Sequence, residues 1–141
     1  MPKVSVIIPS FNRPHLLARC VESVRQAGPD IEVVVVDDAS SDGTAKVCRA
    51  LQNINYVRLD RNQGVAGARN AGLLASSGDY IGFLDDDDLR LPDSIAHQLA
   101  LLEAAPEAGF VAGGCCLAIR IASPPEEWRF PTRLAVIFSG K

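Results

Sequence analysis

EVVVVDD, Glu32–Asp38, sets four consecutive valines directly against two carboxylates. A strand with one wet face alternates apolar and polar residues; this one is apolar on both faces, the pattern of a strand covered on both sides. β-Branched valine favours the extended backbone. VSVII (Val4–Ile8) is a second such run, stopped by Pro9, and YIGFL (Tyr80–Leu84) is a third, delivering the chain into Asp85–Asp88. NYVRL (Asn55–Leu59) reads as a less apolar strand.

Between these runs the apolar spacing turns helical. Leu17, Cys20, Val21 and Val24 recur at helical intervals, with Asn12 as a cap and Pro14 near the first turn. Ser41 or Asp42 is placed to cap a helix carrying Ala45, Val47, Cys48 and Leu51. A Gly-punctuated loop leads into a helix over about residues 65–75, and Pro92 opens another that carries Ile95, Leu99 and Leu102 and ends before Pro106. FVAGGCCLAI (Phe110–Ile119) reads as a strand, followed by a polar PPEEWRFP link and LAVIF (Leu134–Phe138).

Strands alternating with helices predict an α/β fold, an open and mostly parallel Rossmann-like sheet with helices on both faces. Right-handed crossovers and one reversal of winding give the strand order 3-2-1-4. Ligands in such sheets bind beyond the carboxyl ends of the strands at the reversal, so Asp37/Asp38 and Asp85–Asp88 are expected to open into one crevice.

The 141 residues, 48% of them hydrophobic, suffice for a single domain over 1–141 with a real core. A net charge of −3 offers no general attraction to nucleic acid, and no nucleic-acid partner is expected. The four cysteines, Cys20, Cys48, Cys115 and Cys116, lack CxxC spacing and read as buried thiols. Val4–Ile8 is too short for a signal peptide, and no run approaches the roughly 20 apolar residues of a membrane span. A cytoplasmic location follows as the expectation, with peripheral attachment to a membrane left open.

Four adjacent aspartates repel one another unless solvent or a cation relieves them. A solvated loop is one reading. The absence of any spacer after two buried strands favours the other: a site for Mn2+ or Mg2+ with phosphate, since hard cations take oxygen ligands. In an extended segment Asp85 and Asp87 share a side and form a D-x-D clamp, with Asp88 the weaker member.

VSVIIPSFNRPHLLARCVESVRQ, EVVVVDDASSDGT and NQGVAGARNAGLLASSGDYIGFLDDDDLRLP, in this order, resemble the nucleotide-sugar-binding half of the family 2 glycosyltransferases, with the GT-A fold. The resemblance covers about residues 2–114. It implies that Pro9 and Phe11 border the nucleoside, that Asp38 accepts a hydrogen bond from the base, usually uracil, beside Asp37, and that Ser40, Asp42 and Gly43 complete the turn. It further implies that Gly67 and Arg69 lie near base and diphosphate, that Asp85 and Asp87 serve the cation, and that Asp86 lies on or beside the ribose. For Arg69 a solvent-facing role is the alternative, and for Asp38 a simple Asx cap. The partners implied are a nucleotide-diphosphate sugar and an acceptor of saccharide, lipid or protein nature, with an inverting outcome.

The chain departs from the family in length. Only 27 residues follow Gly114, so the acceptor-binding half is expected to be short or missing, as in a domain cut after its donor-binding half. Glu126 and Glu127 are the late carboxylates for a general base, which must come within about 3 Å of the acceptor hydroxyl; surface charge is their plainer reading, and Trp128 reads as sealing a core edge. His15 is expected to be exposed and His97 structural. A sheet edge left bare would invite a homo-oligomer, and LAVIF is the segment suited to cover it, in its own chain or a partner's. A non-catalytic nucleotide-sugar binder stays open. A receiver-like, Mg2+-dependent regulator would need its acidic pair after the first strand, where PSFN stands instead.

Overall fold

The structure, a computed structural model, describes residues 3–105, 107–111 and 137–139. In chain order it comprises β1 (Val4–Ser10), α1 (Pro14–Arg25), β2 (Ile31–Asp37), α2 (Thr44–Ala50), β3 (Asn55–Arg58), α3 (Gly64–Ala75), β4 (Tyr80–Phe83), α4 (Ser94–Ala104), β5 (Phe110–Val111) and β6 (Ile137–Ser139). The sheet runs β3-β2-β1-β4-β6-β5. Its first four strands are parallel and stand in the order expected from the winding rules.

The valine runs explain the layering. Val4, Val6, Ile8, Val33 and Val35 point to the face covered by Leu17, Cys20, Val21 and Val24 of α1, Cys48 of α2 and Ile95 of α4. Their neighbours Ile7, Val34 and Val36 point to the other face and pack on Ala68 of α3. Among the described residues, α3 is the helix that packs on this side of the sheet, and it must lie close. A Cβ on Gly72 would stand 2.4 Å from Ile7 Cγ2, so the missing side chain is what lets α3 settle on β1.

Register brings the strand ends together. Ser10 pairs with Asp37 across β1 and β2, and Ile7 with Phe83 across β1 and β4. Beyond β4 the Leu84 N–H still donates to the Ile7 carbonyl at 3.1 Å, which carries the following aspartates alongside Pro9 and Ser10.

The edge of β4 is covered by the chain itself: β6 pairs antiparallel with it, Ile81 opposite Phe138, and β5 pairs with β6. Only Phe110–Val111 of the Phe110–Ile119 run is a described strand. The rest of that run, Cys115, Cys116, Glu126, Glu127 and Trp128 lie outside the described residues.

Two capping expectations change. Asn12 does not cap α1, whose N-cap is Arg13. In left-handed backbone (φ 55°), Asn12 instead accepts the Ser41 N–H on Oδ1 at 2.9 Å and donates its own N–H to Ser40 Oγ, tying the loops after β1 and β2 together. Asp42 accepts from Thr44 N–H and Oγ as a local turn rather than as the cap of α2, which is Gly43. Cys20 and Cys48 are buried free thiols, pushed by burial to about 12 and about 11. Among the described residues no helix is long and apolar enough to cross a membrane.

Gly72→Ala is expected to destabilise the fold by about 1–3 kcal/mol, the usual cost of overpacking a close-packed contact. Urea unfolding measures it; a midpoint equal to that of the wild type would mean that α3 does not depend on this close approach.

Candidate functional site

At the carboxyl edge of the sheet, Pro9, Ser10, Phe11, Arg13, Asp38, Val65, Ala68, Asp85, Asp86 and Asp87 line one cleft of about 340 Å³. Three strand ends and the first turns of α3 build it. Asp38 from just beyond β2 and Asp87 from beyond β4 therefore face the same space.

Asp37 lies behind the cleft, fully buried. Its Oδ1 accepts the Ser40 N–H at 2.8 Å, and its Oδ2 accepts the Tyr56 hydroxyl at 2.9 Å and Arg58 Nη1 at 2.6 Å. Burial alone would raise this carboxyl; the hydrogen bonds from Ser40 and Tyr56 and the charge of Arg58 outweigh it and hold the group below its ordinary value. Arg58 also reaches the Ser40 carbonyl at 2.8 Å, so one side chain braces the whole turn. Within that turn Ala39 takes φ 62°, a left-handed backbone that a residue with a Cβ adopts at some cost.

Asp38 does two things. Its Oδ1 accepts the Gln63 N–H at 2.7 Å, just ahead of α3, and its carbonyl accepts Asn62 Nδ2–H at 3.3 Å. The carboxylate thus holds the residue that precedes α3 while bordering the cleft. Gly67 lies in the first turns of α3, outside the lining, and a Cβ there would meet Gln63 Cβ at 2.4 Å. Ser40, Asp42 and Gly43 also lie outside the lining, in the loop before α2.

The acidic run is not extended. The Asp88 N–H donates to the Asp85 carbonyl at 3.0 Å and closes a tight turn, so the alternation that would set Asp85 and Asp87 side by side is lost. Two arginines serve three of the aspartates instead, Arg69 pairing with Asp85 and Arg13 bridging Asp86 and Asp87. Asp85 Oδ1 lies 2.7 Å from Arg69 Nη2, and Asp87 Oδ2 lies 3.0 Å from Arg13 Nη1. Asp86 turns inward: buried, it accepts Ser10 Oγ–H at 2.7 Å and Arg13 Nη1–H at 3.0 Å. Arg69 also stacks over the Phe83 ring, 5.5 Å from its centroid, so it faces the turn rather than open solvent.

Among the described residues no group of three or more His, Cys, Asp or Glu side chains gathers to hold a metal ion. The half-exposed Asp85 and Asp87 are nevertheless hard oxygen donors, and a Mg2+-type ion needs only one or two such carboxylates beside water and phosphate. His15 and His97 are both exposed; His97 Nδ1 lies 2.8 Å from the Asp93 carbonyl.

Sequence reasoning missed Arg13, Ser10, Val65 and Ala68 as lining residues and Arg58 and Tyr56 as supports. Arg13 stood in view within PSFNRP, but its partners lie 73 and 74 positions away, a separation that no local pattern encodes.

Residues 5–120 match the family described as Glycosyl transferase family 2. "Succinoglycan biosynthesis protein ExoO" of Rhizobium meliloti is 38% identical over 108 residues, which cover 74% of this chain and 31% of that protein. "GalNAc(5)-diNAcBac-PP-undecaprenol beta-1,3-glucosyltransferase" of Campylobacter jejuni is 38% identical over 123 residues, 83% of this chain and 39% of the relative. The chain thus spans 31% and 39% of the lengths of these two relatives. Among solved structures, the mannosyltransferase PcManGT from Pyrobaculum calidifontis, in complex with GDP-Man and Mn2+, is 28% identical with a TM-score of 0.72, over 80% of this chain and 35% of that one. S. aureus TarS 1-349 in complex with UDP shares the fold, with a TM-score of 0.79 at 22% identity, over 97% of this chain and 46% of that one.

Because the folded Asp37 carboxyl lies below its unfolded value of about 3.9, its contribution to stability is present above about pH 4 and is lost as pH falls through the folded value. Asp37→Asn is therefore expected to melt lower than the wild type near neutral pH, with the gap closing below about pH 4. Thermal melts across this range check it; a gap independent of pH would take the charge out of the account.

Proposed function

The chain belongs to glycosyltransferase family 2, and on that premise we propose that it moves a sugar from a nucleoside diphosphate donor, a UDP-sugar by preference, to an acceptor with inversion. One observation carries the reading: the carboxylate at the end of β2 and the acidic turn beyond β4 share a single cleft. The base would lie by Asp38, whose Oδ1 is engaged by Gln63, leaving Oδ2 to accept an imide N–H. Pro9, Phe11 and Val65 offer apolar walls to the nucleoside; Phe11 and Val65 are about half exposed. The diphosphate would lie by the turn, within reach of Arg69, whose planar fork suits phosphate oxygens.

Asp85 and Asp87 would hold Mn2+ or Mg2+. Such a cation, when bound, neutralises the leaving diphosphate as a Lewis acid. The chain's own residues orient: Arg69 sets Asp85, Ser10 and Arg13 set Asp86, and Asp37 with Arg58 holds the loop that presents Asp38. Asp86 is buried, so a role beside the ribose would require it to release one of these partners. The acceptor is proposed to be a saccharide, lipid or protein. The names of the Rhizobium and Campylobacter relatives, which speak of succinoglycan and of an undecaprenol-linked glycan, favour a surface polysaccharide or its lipid-linked precursor.

Calorimetry with UDP, GDP and TDP, with and without Mn2+, tests the reading. UDP is expected to bind most tightly and to need the ion. Asp87→Asn should remove most of the ion dependence, and Asp38→Asn should weaken UDP at least about tenfold, since a charge-assisted acceptor becomes an amide that also donates. A folded chain that binds none of the three nucleotides would overturn the proposal.

A further inference from the structure

Arg13 serves the acidic turn from a distant loop. It leaves the chain just before α1, yet its Nη1 lies 3.0 Å from Asp86 Oδ1 and 3.0 Å from Asp87 Oδ2. The two ends of this bridge differ. Asp86 is 5% exposed and held as well by Ser10 Oγ, while the Asp87 side chain is 56% exposed. Arg69, in contrast, is fixed by its stacking on Phe83.

We propose that Arg13 is an exchangeable counter-ion: it bridges Asp86 and Asp87 while no cation is bound, and passes to the donor's diphosphate when a divalent cation takes Asp87. The inference rests on the donor-binding reading above. One guanidinium supplies a single positive charge to two carboxylates, so the turn keeps a surplus that a divalent cation relieves better. A half-exposed ion pair is weak and gives way readily. The buried Asp86 arm keeps Arg13 at the cleft while the Asp87 arm opens. The two contacts use Nη1 alone among the described residues, which leaves Nη2 and Nε as donors for phosphate oxygens.

The exchange has a signature of opposite signs. A cation arriving alone must displace Arg13 from Asp87 with nothing offered in return. With the nucleotide present, the displaced guanidinium gains phosphate, so cation and nucleotide strengthen each other through this residue. Removing Arg13 should therefore help the bare cation and harm the pair.

The test is calorimetry of Mn2+ binding to the full chain, without and with saturating UDP, for wild type, Arg13→Ala and Arg13→Lys. Arg13→Ala is expected to bind Mn2+ alone up to about fivefold tighter, the scale of one exposed ion pair, while the gain in Mn2+ affinity conferred by UDP shrinks. Arg13→Lys keeps the charge without the fork; it should bind Mn2+ alone like the wild type, show a reduced gain from UDP, and stand in if Arg13→Ala does not fold. Mn2+ binding that is unchanged or weaker in Arg13→Ala, or an undiminished gain from UDP in both variants, overturns the role of Arg13 and leaves the donor site standing. Failure of the folded wild type to bind either Mn2+ or UDP overturns the donor site itself, and this inference with it.

Discussion

Negative charge gathered at the ends of buried strands is the constraint that the carboxyl edge of this sheet must satisfy. A carboxylate at 0% exposure is tolerable only when it is paired and hydrogen-bonded, and Asp37 meets both conditions through Arg58, Tyr56 and Ser40. Asp86 meets them through Ser10 and Arg13. Of the exposed members, Asp85 pairs with Arg69, and Asp87 shares Arg13 with Asp86. The edge is thus a set of interlocked pairs whose members come from β1, β2, β3, α3 and the loops between them. Its loops are fixed by one another rather than by local sequence.

This interlocking separates support from contact. Asp37 and Arg58 stand behind the lining and hold the strained turn at Ala39, while Asp38, one residue on, reaches the cleft. Two adjacent aspartates of the same chemistry have different duties because β2 ends between them. Beyond β4 the buried Asp86 is held by hydrogen bonds while Asp85 and Asp87 are exposed, and all three border the cleft. In both places a hydrogen-bonded, buried carboxylate, Asp37 or Asp86, steadies the backbone that carries its neighbours.

Much of the architecture was legible beforehand. Runs such as Val33–Val36 are apolar at every position because both faces of the sheet are covered, and the alternation with helices left few topologies. The placement of Asp38 and the Asp85–Asp87 segment on one side follows from strand direction alone. Finer features were not legible. A tight turn at Asp85–Asp88, closed by the Asp88 N–H on the Asp85 carbonyl, stands where the residue types alone suggest an extended clamp. Asn12 went to a neighbouring loop rather than to its own helix because positive φ took its side chain away from the first turn. Arg13 depends on a contact across most of the domain, and periodicity carries no trace of single long-range pairs.

The central position of β1 has a kinetic consequence. Its pairing with β2 is closed by one helix, whereas its pairing of Val4 with Tyr80 must wait until α2, β3 and α3 have been spanned. Bringing such distant segments together costs chain entropy before any contact repays it, and this slows parallel sheets. The topology therefore predicts early condensation of the β1–α1–β2 unit and late docking of β4. Because the cleft needs a wall from each, a chain caught midway would hold a largely formed hydrophobic layer and no cleft.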